Sequence, residues 1–223
     1  MERFNASTWL VDRHVAEGRG GRVAVECGDR QLTYTDLLAE VHAAANGLRQ
    51  LGVRPEERVV LVLNDGVAFV ATFLGALRIG AIPVPVSTML TGKDLGVIVD
   101  DARARVIYLS QPYASQLPAI SDGAPELEVA VVDGDAPEGT GVRTHRLDHV
   151  AVDRTEAAVA RTTGDSPAFW LYTSGTTGTP KGAMHRHVDL RATADTYAAS
   201  VLGTRADDRF FSVAKLFFAY GLG

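Results

Sequence analysis

The run Val59-Val60-Leu61-Val62-Leu63 constrains the fold more than any other segment of this chain. All five residues are apolar, three are β-branched, and no polar residue alternates with them. Such a strand has to be buried on both faces, as inner strands of helix-covered parallel sheets are. The next residues agree with this. Asn64-Asp65-Gly66 signals a turn. Val67 to Ile79 reads as an apolar helix closed by Gly80. Ala81 to Val86 reads as a short strand, and its two prolines, Pro83 and Pro85, put it at an edge or at the end of a pairing. Strand, helix and strand in this order form one unit of a parallel sheet.

The pattern extends in both directions. Thr33 lies three residues before Asp36, the spacing of a capping box. Leu37, Leu38, Val41, Ala44, Ala45, Leu48 and Leu51 then recur at helical spacing, and Gly52 suits the stop. Further along, a helix is expected around Lys93–Ala102, a strand over Arg105–Leu109, a short helix over Tyr113–Ile120 and a strand over Glu128–Val132. Asp133 to Gly141 is rich in Asp, Gly and Pro and reads as an exposed connection. Ala168 to Tyr172 reads as a strand, Val188 to Val201 as a helix ending near Gly203, and Arg209 to Val213 as one more strand. The chain is thus expected to be α/β, with largely parallel sheets flanked by helices. Residues 1–164 would form a first α/β subdomain with its connecting segment, and residues 165–223 would start a second.

Composition excludes several classes of function. A net charge of −5 gives no basic field for nucleic acid. The single cysteine, Cys27, rules out an intrachain disulfide and fits a reducing, cytoplasmic setting. The start carries Glu2, Arg3, Asp12 and Arg13 without a continuous apolar region, which argues against a signal peptide. The most apolar stretch, Val67 to Leu77, is stopped by Arg78 and is too short to cross a bilayer.

The most informative segment for function is Tyr172-Thr173-Ser174-Gly175-Thr176-Thr177-Gly178-Thr179-Pro180-Lys181-Gly182. From Thr173 onward it holds only Thr, Ser, Gly, Pro and Lys. Glycines let a backbone approach a bulky anion. Hydroxyl and N–H groups donate to phosphate oxygens, and a lysine adds a point charge. It is not a Walker A loop, because Lys181 follows Pro180 rather than a glycine and Gly182 rather than Ser or Thr comes next. The same composition also suits a flexible linker, so the residues alone leave both readings open. His185 and His187, two apart, read as helix-start histidines rather than zinc ligands, since no Cys or acidic partner is near. His145 and His149 read as solvated, Arg13, Arg19 and Arg22 as a scattered surface set, and Asp100 with Asp101 as a poor acid/base pair at a helix end.

The order of residues in this segment resembles the phosphate-binding signature of the adenylate-forming superfamily, which includes acyl-CoA synthetases, luciferases and the adenylation domains of peptide synthetases. The resemblance implies that Thr173, Ser174, Gly175, Thr176, Thr177, Gly178 and Lys181 hold ATP phosphates. It covers nearly the whole chain. Leu32-Thr33-Tyr34 with Leu37, Gly47-Leu48 and Leu51-Gly52-Val53 look like the family's N-terminal helix. Arg58 to Asn64 looks like its first strand, and Gly75-Ala76-Leu77 to Pro85 like its next helix and strand. Lys215 to Gly223 resembles its substrate-pocket segment, with Phe218 where many relatives carry a histidine. With Phe4-Asn5 and the Ala-Tyr-Gly run, the chain is most similar to benzoate-CoA ligases, and Ala219, Tyr220 and Gly221 would line an acyl pocket. Phe217, Phe218 and Tyr220 could also contact a ring, although Phe210, Phe211, Phe217 and Phe218 suit plain core packing as well.

The resemblance further implies an ATP-dependent ligase that joins an aromatic acid to CoA through an acyl-adenylate, with ATP, Mg²⁺ and CoA as cosubstrates and cofactor. The implied partners are an aromatic carboxylate, ATP and CoA, together with the C-terminal part of such an enzyme or a second copy of the chain. Family members are considerably longer, so the chain would represent an N-terminal part, and the resemblance assigns no catalytic residue and no metal ligand within it. A nucleotide-binding module without turnover and a remnant protein of the same family remain as the other function classes.

Overall fold

The computed structural model describes residues 2–174 and 180–222, with Ser174 described for its backbone alone. A π-helical segment, Thr8–Asp12, runs into α1 (Arg13–Ala16). A hairpin of β1 (Val23–Cys27) and β2 (Arg30–Thr33) precedes α2 (Tyr34–Gln50). Then come β3 (Arg58–Val62), α3 (Val67–Ile79), β4 (Ile82–Pro85), α4 (Gly92–Asp101) and β5 (Val106–Ser110). A 3-10 segment at Gln111–Gln116 leads into α5 (Leu117–Gly123), β6 (Val129–Asp133), β7 (Arg143–Arg146) and α6 (Leu147–Val150). The last elements are β8 (Pro167–Ser174), β9 (Pro180–Arg186), α7 (His187–Thr193), a π-helical run at Ala194–Val201, and α8 (Ala219–Leu222).

Five strands form one sheet in the order β4-β3-β5-β6-β7, and every neighbouring pair is parallel. The reason is visible in β3. Val59, Leu61 and Leu63 belong to a core shared with α2 and α3, whereas Val60 and Val62 belong to a second core shared with α4 and α5. From Val59 to Leu63 neither face meets water, so each of these positions has to be apolar. β4 occupies an edge, as its prolines require, since an edge strand needs a ladder on one side only.

The helices stop and start where local chemistry sets their ends. Thr33 accepts from the Asp36 N–H while the Asp36 carboxylate accepts from the Thr33 N–H, and Thr91 with Asp94 repeats this box at α4. α3 ends at Gly80, whose φ of 77° lies in the left-handed region. α2 and α3 approach so closely that a Cβ on Gly75 would lie 2.8 Å from the Ala44 Cβ.

Some expectations are corrected. Arg209 to Val213 is not a strand: Phe210, Phe211 and Val213 are exposed, and no described strand pairs with the segment. Its apolar run suggests a strand, but a strand needs a neighbour for its ladder. β7 is a strand that the sequence does not announce, because Arg-Thr-His-Arg has no apolar alternation, yet it pairs in parallel with β6 at the far edge. No helix among the described residues is long and apolar enough to cross a membrane.

Candidate functional site

The segment singled out for phosphate chemistry is carried by a two-stranded antiparallel hairpin, not by a strand of the parallel sheet. β8 pairs with β9 through Phe169↔His185, Leu171↔Ala183, Thr173↔Lys181 and Ser174↔Pro180. Thr173 and Lys181 are therefore strand residues facing one another across the ladder, and both are exposed. Gly175, Thr176, Thr177 and Gly178 lie outside the described residues, as does the Ser174 side chain.

β8 is fixed from both sides. Phe169 and Leu171 enter the core of α2 and α3, and Phe169 is tilted against Phe73 with ring centroids 5.6 Å apart. Trp170 and Tyr172 pack against the other core. The Tyr172 hydroxyl donates to the Asp101 carboxylate at 2.5 Å, and the Arg58 guanidinium lies 5.5 Å from the centre of the Trp170 ring. Burial, then the bond to Asp101, raises the Tyr172 pKa, so this phenol stays protonated and acts as a tether. Gly182 lies over these rings: a Cβ there would be 3.3 Å from Trp170 and 3.4 Å from Tyr172. The strand pair that carries Thr173 and Lys181 is thus rooted in both cores.

The two histidines differ from their expected common role. His185 lies on β9, stacked on Phe169 with centroids 4.5 Å apart. His187 is the first residue of α7 and fully buried; its Nδ1 accepts from the Ala6 N–H at 3.1 Å. Burial holds its pKa down to about 4, so it is a neutral, structural imidazole. The expected scattered set of arginines is also revised: Arg13 lies 4.1 Å from the Trp9 ring centre, whereas Arg19 and Arg22 line a common cavity.

The segment resembling an acyl pocket is held at the carboxyl end of β3. Asp65 accepts from the Leu216 N–H at 3.0 Å, and its second oxygen lies 3.6 Å from Lys215 Nζ. The turn beyond is tight, because a Cβ on Gly221 would overlap the Lys215 carbonyl oxygen. Ala219 and Tyr220 are exposed, Tyr220 to 83%, and Gly221 is half-buried. Phe217 is buried and tilted on Phe218, with centroids 4.5 Å apart. Leu216 and Leu222 instead face an apolar cavity of about 480 Å³, walled also by Phe73, Leu74, Tyr197 and Phe210. Sequence reading placed Leu216 and Leu222 in the pocket-like segment without giving either a role, and it missed Tyr197. The recurrence of Leu190, Ala194, Tyr197 and Ala198 at helical spacing was the available signal, and these four share that wall.

Among the described residues no group of three or more His, Cys, Asp and Glu comes together. These residues therefore offer a divalent cation no carboxylate cage of their own.

A family model described as AMP-binding enzyme matches residues 12–223. The 4-hydroxybenzoate--CoA/benzoate--CoA ligase of Rhodopseudomonas palustris is 43% identical over 226 residues, which take in 100% of this chain and 41% of that protein. The benzoate--CoA ligase of Thauera aromatica is 40% identical over 223 residues, again 100% of this chain and 41% of that protein. The crystal structure of the anthranilate CoA ligase AuaEII in complex with anthranoyl-AMP matches with a TM-score of 0.91 at 33% identity, over 99% of this chain and 42% of that one. The benzoate CoA ligase from Burkholderia xenovorans LB400 matches with a TM-score of 0.85 at 34% identity, with the same coverage. The chain spans about two-fifths of the length of these relatives.

Proposed function

We propose that this chain, which belongs to the AMP-binding enzyme family, carries the phosphate-binding and acyl-binding portion of a ligase joining an aromatic carboxylic acid to CoA. The observation that carries this reading is the Thr/Ser/Gly/Lys segment presented by a hairpin rooted in both cores, with Lys181 opposite Thr173. Relatives named for benzoate, hydroxybenzoate and anthranilate support an aryl acid as the substrate class. On this reading residues 1–164 are a first α/β subdomain with its connection, and residues 165–223 begin a second.

In the reaction a carboxylate oxygen of the acid attacks the α-phosphorus of ATP. The bond from that phosphorus to the oxygen bridging to the β-phosphate breaks, and pyrophosphate leaves. The CoA sulfur then attacks the acyl carbon, AMP departs, and the thiol proton passes to solvent. Two anions must meet in the first step, so cations and aligned donors are needed around the phosphates. Thr173, Ser174, Gly175, Thr176, Thr177, Gly178 and Lys181 would hold the phosphates that become pyrophosphate. Ala219, Tyr220 and Gly221, on the segment that Asp65 ties down, would present the acid. Mg²⁺ would offset the charge of the phosphates that these residues hold.

Calorimetric titration of the purified chain with ATP and Mg²⁺ tests this. Lys181→Ala should weaken binding roughly tenfold, the order of one charge-assisted contact. Equal affinity of the two proteins would remove Lys181, and the reading built on it, from consideration.

A further inference from the structure

A second cationic feature lies away from the hairpin. A cavity of about 420 Å³ opens between the segment leading into β1 and the turn beyond the π-helical run, and it gathers Arg19, Arg22, Arg205 and Arg209. Two acids, Glu26 and Asp208, share its lining, so four guanidinium groups face two carboxylates in a chain of net charge −5. Both acids are already engaged. Asp208 accepts from the Arg205 N–H at 2.8 Å, and Glu26 accepts from Gln31 and lies 3.5 Å from Arg209. Arg19 pairs with Glu17. The side chains of Arg22 and Arg205 make no hydrogen bond or ion pair among the described residues, and both are exposed at the mouth.

The backbone fixes both walls. The Arg22 N–H donates to the Arg19 carbonyl at 3.0 Å, and the Arg22 carbonyl accepts from the Tyr34 N–H at 3.0 Å. On the other side the Asp208 N–H donates to the Arg205 carbonyl at 3.2 Å, closing a turn from which Arg205 and Arg209 both reach the cavity. His14 stacks on Tyr34 with centroids 4.1 Å apart and receives Arg19 Nε at 3.2 Å on its Nδ1. This gives the cavity a planar inner surface that adds no acid.

We propose that this cavity is a binding site for a compact di- or triphosphate group, distinct from the segment at residues 173–182. Glu17 offsets Arg19 and Glu26 offsets Arg209, so the positive potential in the cleft comes from the two guanidinium groups unpaired among the described residues, Arg22 and Arg205, with Asp208 as the one carboxylate beside them. The planar fork of arginine matches phosphate oxygens in pairs, which lysines or an uncharged cleft would not. The site goes beyond the proposed ligase reading and stands without it, because none of its residues belongs to the hairpin.

The test uses inorganic tripolyphosphate titrated calorimetrically into the purified chain at low salt. Wild type is compared with Arg22→Gln/Arg205→Gln, with Arg22→Lys/Arg205→Lys and with Lys181→Ala, and circular dichroism melting verifies that each variant folds. The glutamine pair should lose tenfold or more in affinity for one bound tripolyphosphate. Lys181→Ala should retain that event, the lysine pair should bind with intermediate affinity, and raised salt should screen it. Displacement by ATP identifies a nucleotide as the source of the phosphates, and failure of ATP to displace it identifies a free polyphosphate; either supports the site. Wild-type affinity in the folded glutamine pair, or no binding by wild type, overturns it.

Discussion

Two buried polar side chains join the N-terminal segment to the rest of the fold, and each does so in a different electrostatic state. Arg78, 1% exposed in the last turn of a largely apolar helix, pairs with Asp12 at 2.8 Å and donates to the Ala157 carbonyl at 2.8 Å. A buried guanidinium needs such partners, since breaking a pair of this kind costs on the order of 3–5 kcal/mol. His187 takes the other course and stays neutral, because only a neutral ring can accept from the Ala6 N–H. Its pKa of about 4 in the folded chain lies below the ordinary value of 6.5. Between these two values the unfolded chain binds a proton that the folded chain refuses, so stability present above pH 6.5 is lost as the pH falls toward 4. The gap corresponds to roughly 3 kcal/mol. Urea unfolding at a series of pH values should show this loss, and His187→Gln should lower stability at neutral pH while flattening the slope below pH 6.5. His42 and His14, whose pKa values burial and then neighbouring arginines also lower, contribute to the slope that remains. A variant with the wild-type slope would show that His187 is not the group responsible.

At the scale of elements, the parallel sheet was legible where a strand is apolar on both faces and illegible where it is not. β3, β4, β5 and β6 announce themselves because two cores demand apolar residues at all but the end positions of these strands. β7 and β9 carry Arg, Thr, His, Lys and Gly, since an edge strand or an exposed hairpin arm has only part of its surface to bury. Arg209 to Val213 shows the reverse error, an apolar run without a described neighbour to pair with. The segment proposed for phosphate stands out by the order of its residues, but its support does not: nothing in the sequence foretold that Gly182 would lie against Trp170 and Tyr172 on the same hairpin. That contact carries a prediction. Gly182→Val must place branched methyls where a Cβ alone already meets the two rings at 3.3 and 3.4 Å. Overpacking costs about 1–3 kcal/mol in a closed core, and this exposed position falls at the low end of that range. The thermal midpoint should drop and the near-ultraviolet signal of Trp170 should change, whereas Gly182→Ala should need only a small adjustment. An unchanged midpoint in the valine variant would mean that the hairpin is not pressed against its aromatic support.

The whole molecule is asymmetric in what it exposes. The five-stranded sheet and its four covering helices leave few large apolar side chains in water. Residues from Met184 onward expose many, with Phe211 at 91%, Val213 at 87%, Tyr220 at 83%, Met184 at 71% and Phe210 and Val201 each at 70%. Apolar side chains exposed in this number promote association where they lie together and nothing covers them. The charge available to oppose contact between copies is modest, a net −5 over 223 residues. The chain alone in solution should therefore associate as its concentration is raised, with sedimentation velocity showing a weight-average mass above that of one copy. Replacing Phe211 and Val213 together by Asp removes the two most exposed of these side chains and adds charge of the sign the chain already carries. That variant should remain a single copy over the same range, with its melting temperature little changed, because neither residue contributes to a core. A wild-type chain that stays a single copy at every concentration would show that the segment from 209 to 222 folds back over its own apolar side chains, and the exposed arrangement described for it would have to be abandoned.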